Sequence, residues 1–138
     1  LHLIEPLGFR LNEKEIKRAG MDYWNELDVT RYVNYEDFLE KNPNAKIYMA
    51  TTKGKHVYSD VDYENDCYIM FGKESAGIPE EILAHHKEQC IRIPMQSEIR
   101  SLNLSNSVAV VLYGALRQNQ FENMQLEGYL TRFDDYIE

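Results

Sequence analysis

An α/β fold, with a mostly parallel sheet covered by helices on both faces, is the architecture this sequence predicts, and three observations carry it. Runs that read as strands are apolar, as in CYIMFG and CIRIPM. Stretches that read as helices separate them, which is the order that parallel strands joined by crossover helices require. The 138 residues suit one domain, a size that buries about two thirds of its unfolded surface.

The elements follow in order. LHLI (Leu1–Ile4) reads as a buried strand, and NEKEIKRAG as a helix capped by Asn12, with Glu15 in the capping-box position and Gly20 as its stop. A second strand is expected near Leu27–Tyr32, followed by a short helix that Asn34 caps and that runs towards Asn42 and Pro43. AKIYMATT reads as a strand, the acidic stretch after it as a loop, and CYIMFG as another strand. IPEEILAHHKE reads as a helix with Pro79 in its first turn, CIRIPM as a strand, and a long helix begins at about Ser101. Leu1 opens a strand with nothing before it to lead in, so the natural chain is expected to start upstream.

Composition narrows the class. Hydrophobic residues make up 43% and aromatic residues 12%, a globular balance and not a disordered one. The longest apolar stretch, Val108–Leu116, falls well short of the ~20 residues of a membrane span. No basic-then-apolar leader opens the chain, and Cys67 and Cys90 lack CxxC spacing, so a cytoplasmic setting with reduced thiols is expected. A net charge of −8 argues at face value against a nucleic-acid partner. However, Asp60, Asp62, Glu64 and Asp66 together with the tail from Glu122 hold all of that excess. The balanced remainder can carry local basic patches, at Lys14, Lys17 and Arg18, at Lys53 and Lys55, and at Arg92 and Arg100, although charge alone favours reading these as ordinary solvated side chains.

Ligands of open α/β sheets sit beyond the carboxyl ends of the strands. Three such ends carry unusual loops: MATTKGK, FGKESAGIP and IPMQSEIRSLNLS. The middle one is no phosphate loop, because Glu74 stands where the P-loop's Ser or Thr would follow Lys73, and no GxGxxG occurs. Gly72 and Gly77 either let backbone approach a ligand or merely turn the chain. His85 and His86 are adjacent, point apart and have no third ligand nearby, so no metal site is expected. Without a GxSxG elbow, a serine hydrolase is unsupported. Tyr32, Tyr35 and Phe38 read as packing residues, not a base-stacking platform.

Taken together, FGKESAGIP and IRIPMQSEIRSLNLSNSVAVVLYGALRQ resemble the second and third motifs of the SPOUT superfamily, the knotted S-adenosylmethionine-dependent RNA methyltransferases. LHLIEPLGF, KRAGMDYW (Lys17–Trp24) and TTKG (Thr51–Gly54) narrow the resemblance to the tRNA 2′-O-methyltransferases of the wobble nucleotide, cytidine or a modified uridine. It runs from Leu1 to about Gln118, so residues 1–121 are expected to form the methyltransferase domain and 122–138 an acidic tail.

The resemblance implies a deep C-terminal trefoil knot, an exception to unknotted topology, and a knot-walled cleft for S-adenosylmethionine. By similarity, Ala50, Thr51, Gly72, Ile93, Met95, Ser101 and Leu102 would hold the cofactor, with Ile93 and Met95 against adenine. Glu74, Ser101 and Asn103 match active-site positions, and Arg100 is the implied phosphate contact. The implied partners are the anticodon stem-loop of tRNA and a second copy of the chain, met through the α-helical face of Val108, Val111, Leu112 and Tyr113; no metal is implied. The family's proton-removing Arg lies in an Asn-rich first motif ahead of the strand equivalent to Leu1–Ile4. This sequence does not contain that motif, so slow turnover with intact cofactor binding is expected. The alternative is a knotted dimer that binds RNA or cofactor without turnover.

Overall fold

The computed structural model describes residues 1–7, 27–74, 76–96 and 102–133. Six strands appear in chain order: β1 (His2–Ile4), β2 (Thr30–Tyr32), β3 (Ile47–Ala50), β4 (His56–Val57), β5 (Tyr68–Phe71) and β6 (Cys90–Arg92). Among the described residues three α-helices accompany them: α1 (Tyr35–Lys41), α2 (Glu80–Ala84) and α3 (Leu104–Gln118). Every paired strand runs parallel: β1 with β2 in one sheet, and β4-β6-β3-β5 in the other. The expected helix over Asn12–Gly20 lies outside the described residues.

Strand β3 explains the layering. Successive side chains of a strand point to opposite faces, and Ile47 and Met49 pack with Phe38 of α1, Leu83 of α2 and Ile78. Tyr48 enters the opposite cluster with Tyr63, Ile91 of β6, and Val111 and Ala115 of α3. Helices therefore cover both faces, as expected for a parallel sheet. Met49, Ile91 and Val111 are fully buried. Tyr32 and Phe38 are core residues and Tyr35 packs against them, in keeping with a packing role for this aromatic set.

Local chemistry sets the helix ends. Asn34 Oδ1 accepts from Asp37 N at 2.8 Å, and Asp37 Oδ2 accepts from Val33 N at 3.0 Å. This reciprocal pair satisfies donors that the first turn of α1 would otherwise leave free. The far end of α3 is tied to the acidic loop. Gln118 Nε2 donates to Val61 O at 2.7 Å and its Oε1 accepts from Tyr63 N at 2.9 Å. Tyr63 is thereby held in the core, and burial pushes its phenol up to about 12.

Several boundaries differ from the sequence reading. The strand at Leu1–Ile4 is half-exposed instead of buried, with Leu1 itself exposed. Pro79 is the N-cap of α2 and not part of its first turn, and the helix stops at Ala84; Lys87–Gln89 form a separate 3₁₀ turn. The stretch read as a loop after β3 contains strand β4, paired with β6 through His56↔Ile91, and a 3₁₀ turn over Tyr58–Asp60. Helix α3 starts at Leu104, with Asn103 as its cap. Val111, expected on an intersubunit face, is in the core, whereas Leu112 and Tyr113 are exposed.

Because Met49 touches the layer that joins α1 and α2 to the sheet, Met49→Ala is expected to cost about 2–5 kcal/mol. The exposed Leu126→Ala is expected to stay within about 0.5 kcal/mol. Urea unfolding of the two variants beside the wild type measures the difference.

Candidate functional site

Register brings the site together. Ala50 pairs with Phe71 on one side and Ile91 on the other, so the residues that follow these strands leave the sheet side by side. The chain places β5 to one side of β3 and β6 to the other, which makes the carboxyl end of β3 the crevice of this sheet. Thr51 N continues the ladder by donating to Ile91 O at 2.9 Å.

A cleft of about 500 Å³ opens there, within the range of small-molecule sites. One wall is the loop after β3, from Ala50 to Lys53. Lys53 N donates to Thr51 Oγ1 at 3.1 Å, Gly54 N to Thr51 O at 3.1 Å, and Arg92 Nη1 to Thr52 O at 2.9 Å. A β-carbon on Gly54 would stand 2.8 Å from the carbonyl carbon and oxygen of Ile91, so only glycine lets this loop lie on β6. The opposite wall is the loop after β5, where Lys73 and Gly77 pair and Gly77 has φ +69°. At Gly72 a β-carbon would lie 2.2 Å from the carbonyl carbon of Gly77 and 2.3 Å from Ile78 N. Gly72 is thus a point of backbone contact within the wall.

The third wall carries Ile93, Met95, Leu102, Asn103, Leu104 and Ser107. Its polar start belongs to the cap of α3: Asn103 Oδ1 accepts from Ser105 N at 2.9 Å, Ser105 Oγ at 2.7 Å and Asn106 N at 3.4 Å. Ser107 Oγ donates to Leu102 O at 3.5 Å. With Oδ1 engaged, the amide Nδ2 of Asn103 keeps its donors for something else in the cleft.

The structure places Ala50, Thr51, Gly72, Ile93, Met95 and Leu102 on one cleft, together with Glu74 and Asn103. Ser101 and Arg100 lie outside the described residues. Phe71, Ala76, Ile78, Leu104 and Ser107 also line it, and the sequence reading did not single them out. Ile78 and Ser107 lie within the quoted motifs without being singled out; Ile78 comes in after the turn at Gly77 and Ser107 on the first turn of α3. Apolar walls of Ile78, Ile93, Met95 and Leu102 beside backbone groups of the β3 and β5 loops suit a ligand with a flat apolar part and a polar part.

The electrostatics are concentrated at the mouth. Lys53 and Lys73 line it from opposite walls, Glu74 stands on the same rim, and Lys53 Nζ pairs with Glu80 Oε1 at 2.6 Å. The Lys53 ammonium holds the Glu80 carboxyl below its usual range. Among the described residues no group of three or more His, Cys, Asp or Glu is placed to hold a metal ion, and no helix is long and apolar enough to cross a membrane. Cys67 and Cys90 are free, and burial pushes both thiols up.

Comparison with known proteins matches residues 1–113 to the SpoU rRNA methylase family. The tRNA (cytidine(34)-2′-O)-methyltransferase of Escherichia coli (strain K12) is 48% identical over 119 residues, which span 86% of this chain and 76% of that protein. A solved structure described as giving insights into the 2-OH methylation of C/U34 on tRNA is 38% identical with a TM-score of 0.80, covering 88% of this chain and 80% of that one. An AdoMet-bound rRNA methyltransferase from Sinorhizobium meliloti is 28% identical with a TM-score of 0.67, over 80% of this chain and 44% of that one.

The two sides of the Asn103 amide make separate predictions. Asn103→Ala removes the cap of α3 and is expected to cost about 1 kcal/mol, whereas Asn103→Asp keeps an acceptor and is expected to cost little. Thermal unfolding monitored by far-UV circular dichroism distinguishes the variants.

Proposed function

This chain belongs to the SpoU rRNA methylase family, and we infer that it transfers a methyl group from S-adenosylmethionine to the ribose 2′-hydroxyl of the wobble nucleotide of tRNA, cytidine or a modified uridine. One observation carries the reading: residues from three separate segments, Ala50 and Thr51, Gly72, and Ile93, Met95 and Leu102, line one cleft at the carboxyl ends of β3, β5 and β6. The residues present fit the cofactor. Ile93, Met95 and Leu102 offer an apolar slot for its adenine, and the backbone of the loops after β3 and β5 offers partners for its polar parts.

When bound, S-adenosylmethionine supplies an electrophilic methyl on a sulfonium. In our reading the protein contributes mainly alignment, because an in-line displacement gains most from fixing donor and acceptor together. The cofactor's place is held by the loop after β3, which the bonds from Thr51, Lys53, Gly54 and Arg92 keep fixed, and by the Gly72–Ile78 wall. The free Nδ2 donors of Asn103 orient the ribose, Glu74 supplies an acceptor at the rim, and Ser101 completes the set beside Leu102. Arg100 contacts a phosphate next to the target nucleotide.

The proposal includes the deep trefoil knot, formed by the segment that supplies Ile93 to Ser107. It takes residues 1–121 as the methyltransferase domain and 122–138 as an acidic tail outside the chemistry. A cytoplasmic setting suits a tRNA substrate, the anticodon stem-loop being the part engaged. The chain is proposed to act as a homodimer through α3, where Leu112 is 43% and Tyr113 53% exposed.

The activity test is radiolabelled methyl transfer to total tRNA from a strain lacking wobble ribose methylation, followed by nucleoside analysis. Label is expected in 2′-O-methylcytidine or a 2′-O-methylated modified uridine; label on a base contradicts the reading. In the same assay Asn103→Asp is expected to lower turnover by ~10²-fold while cofactor affinity changes little, because the acceptor loses its orientation. Sedimentation velocity at micromolar concentration is expected to show a dimer, and a monomer would contradict the assembly.

A further inference from the structure

The cleft mouth carries an ion pair that the methyl-transfer chemistry does not use. Lys53 belongs to the loop after β3 and Glu80 opens α2, two residues beyond Ile78 of the cleft lining, so their 2.6 Å contact ties the first loop to the start of α2 beside the cleft. Both side chains are mostly exposed, at 59% and 72%. An exposed pair of this kind contributes about 0–1 kcal/mol, too little to serve as a structural lock. Nor does the loop need one. Thr51 N, Lys53 N and Gly54 N are bonded within the loop or to β6, Arg92 holds Thr52 O, and Gly54 lies against Ile91. The backbone under Lys53 is fixed, and what can change is the partner of its ammonium.

Across the same mouth stands Lys73, exposed and without a side-chain partner among the described residues. Lys53 and Lys73 line the cleft from its first two walls, with Glu74 beside Lys73 and Glu80 paired to Lys53, so the lysines' positive charge is offset in the free protein. Their chemistry fits a phosphodiester: two point charges that tolerate a variable approach, with counterion release as the driving force.

We propose that Lys53 and Lys73 form a phosphate-binding rim at the cleft mouth and that Glu80 occupies Lys53 until an RNA phosphate takes its place. Glu80 is then a competitor: it neutralises Lys53 in the free protein and repels an incoming phosphate, so RNA that does not seat against both lysines gains little. The exchange gives up the Lys53–Glu80 pair and forms a phosphate contact at Lys53, while Lys73, which gives up no partner among the described residues, adds a second. This rests on the reading that the substrate is RNA, and it adds a residue that opposes binding.

The test is fluorescence anisotropy of a labelled anticodon stem-loop over a range of salt, with the wild type, Glu80→Gln, Lys53→Gln, Lys73→Gln and the double variant Glu80→Gln/Lys53→Gln. Glu80→Gln is expected to tighten RNA binding about three- to fivefold at low salt, without changing the affinity for S-adenosylhomocysteine measured by titration calorimetry. Lys53→Gln and Lys73→Gln are each expected to weaken RNA binding and to flatten the log–log salt dependence by about 0.7–0.9. The gain from Glu80→Gln is expected to shrink in the Lys53→Gln background. Unchanged or weaker RNA binding by Glu80→Gln makes the pair a structural contact and overturns the proposal. Loss of S-adenosylhomocysteine affinity in Lys53→Gln, with RNA affinity intact, assigns Lys53 to the cofactor and overturns it too. A wild-type chain that binds no stem-loop at any salt overturns the RNA reading itself, and the proposal with it.

Discussion

Everything in this molecule depends on β3 being paired on both edges and buried on both faces. Its neighbours are β5 and β6, its side chains enter two cores, and Met49 at its centre is fully buried. A strand so constrained has one register available to it, because a slip of one residue would exchange Ile47 and Met49 with Tyr48 between two differently shaped cores. That register puts Ala50, Phe71 and Ile91 at one level. The loops beyond them meet as a consequence, and the cleft is the space they leave.

Glycine then sets how closely the loops approach. Gly54 brings the first loop onto β6, and Gly72 lets the second fold back on Gly77 and Ile78, at distances no β-carbon tolerates. The walls are consequently stiff where they are built of backbone, and the adaptable groups sit on the rim, Lys53, Lys73 and Glu74, with Glu80 paired to Lys53 beside it. A rigid slot for a cofactor below a rim of exchangeable charges suits an enzyme that must accept an extended, charged substrate above a small, bound donor.

Much of this was legible in the sequence, for identifiable reasons. The alternation of apolar strands with helices gave the parallel sheet, since strands covered on both faces leave no polar side. Asn34 announced α1 because its cap is made by local chemistry. The boundaries that failed were decided at a distance. β4 is two residues in a polar context, formed only because β6 lies beside it. Helix α2 was read through His85 and Glu88, yet it ends where Cys90 must enter the sheet, with His86 O accepting from Cys90 Sγ at 3.2 Å. Of the site, the motif residues could be named because resemblance supplied them. Ile78 and Ser107 lie in the same motifs but were not assigned to the site, since their place in the cleft follows from the turn at Gly77 and the start of α3.

The central claim is that the cleft beyond β3, β5 and β6 holds the methyl donor and that the backbone contact at Gly72 shapes it. Titration calorimetry with S-adenosylhomocysteine, on the wild type and on Gly72→Ala checked for the same far-UV circular dichroism, tests it most directly. The account predicts saturable binding at one site per wild-type chain and its loss in the folded variant. No binding by folded wild type, or equal binding by Gly72→Ala, would contradict it.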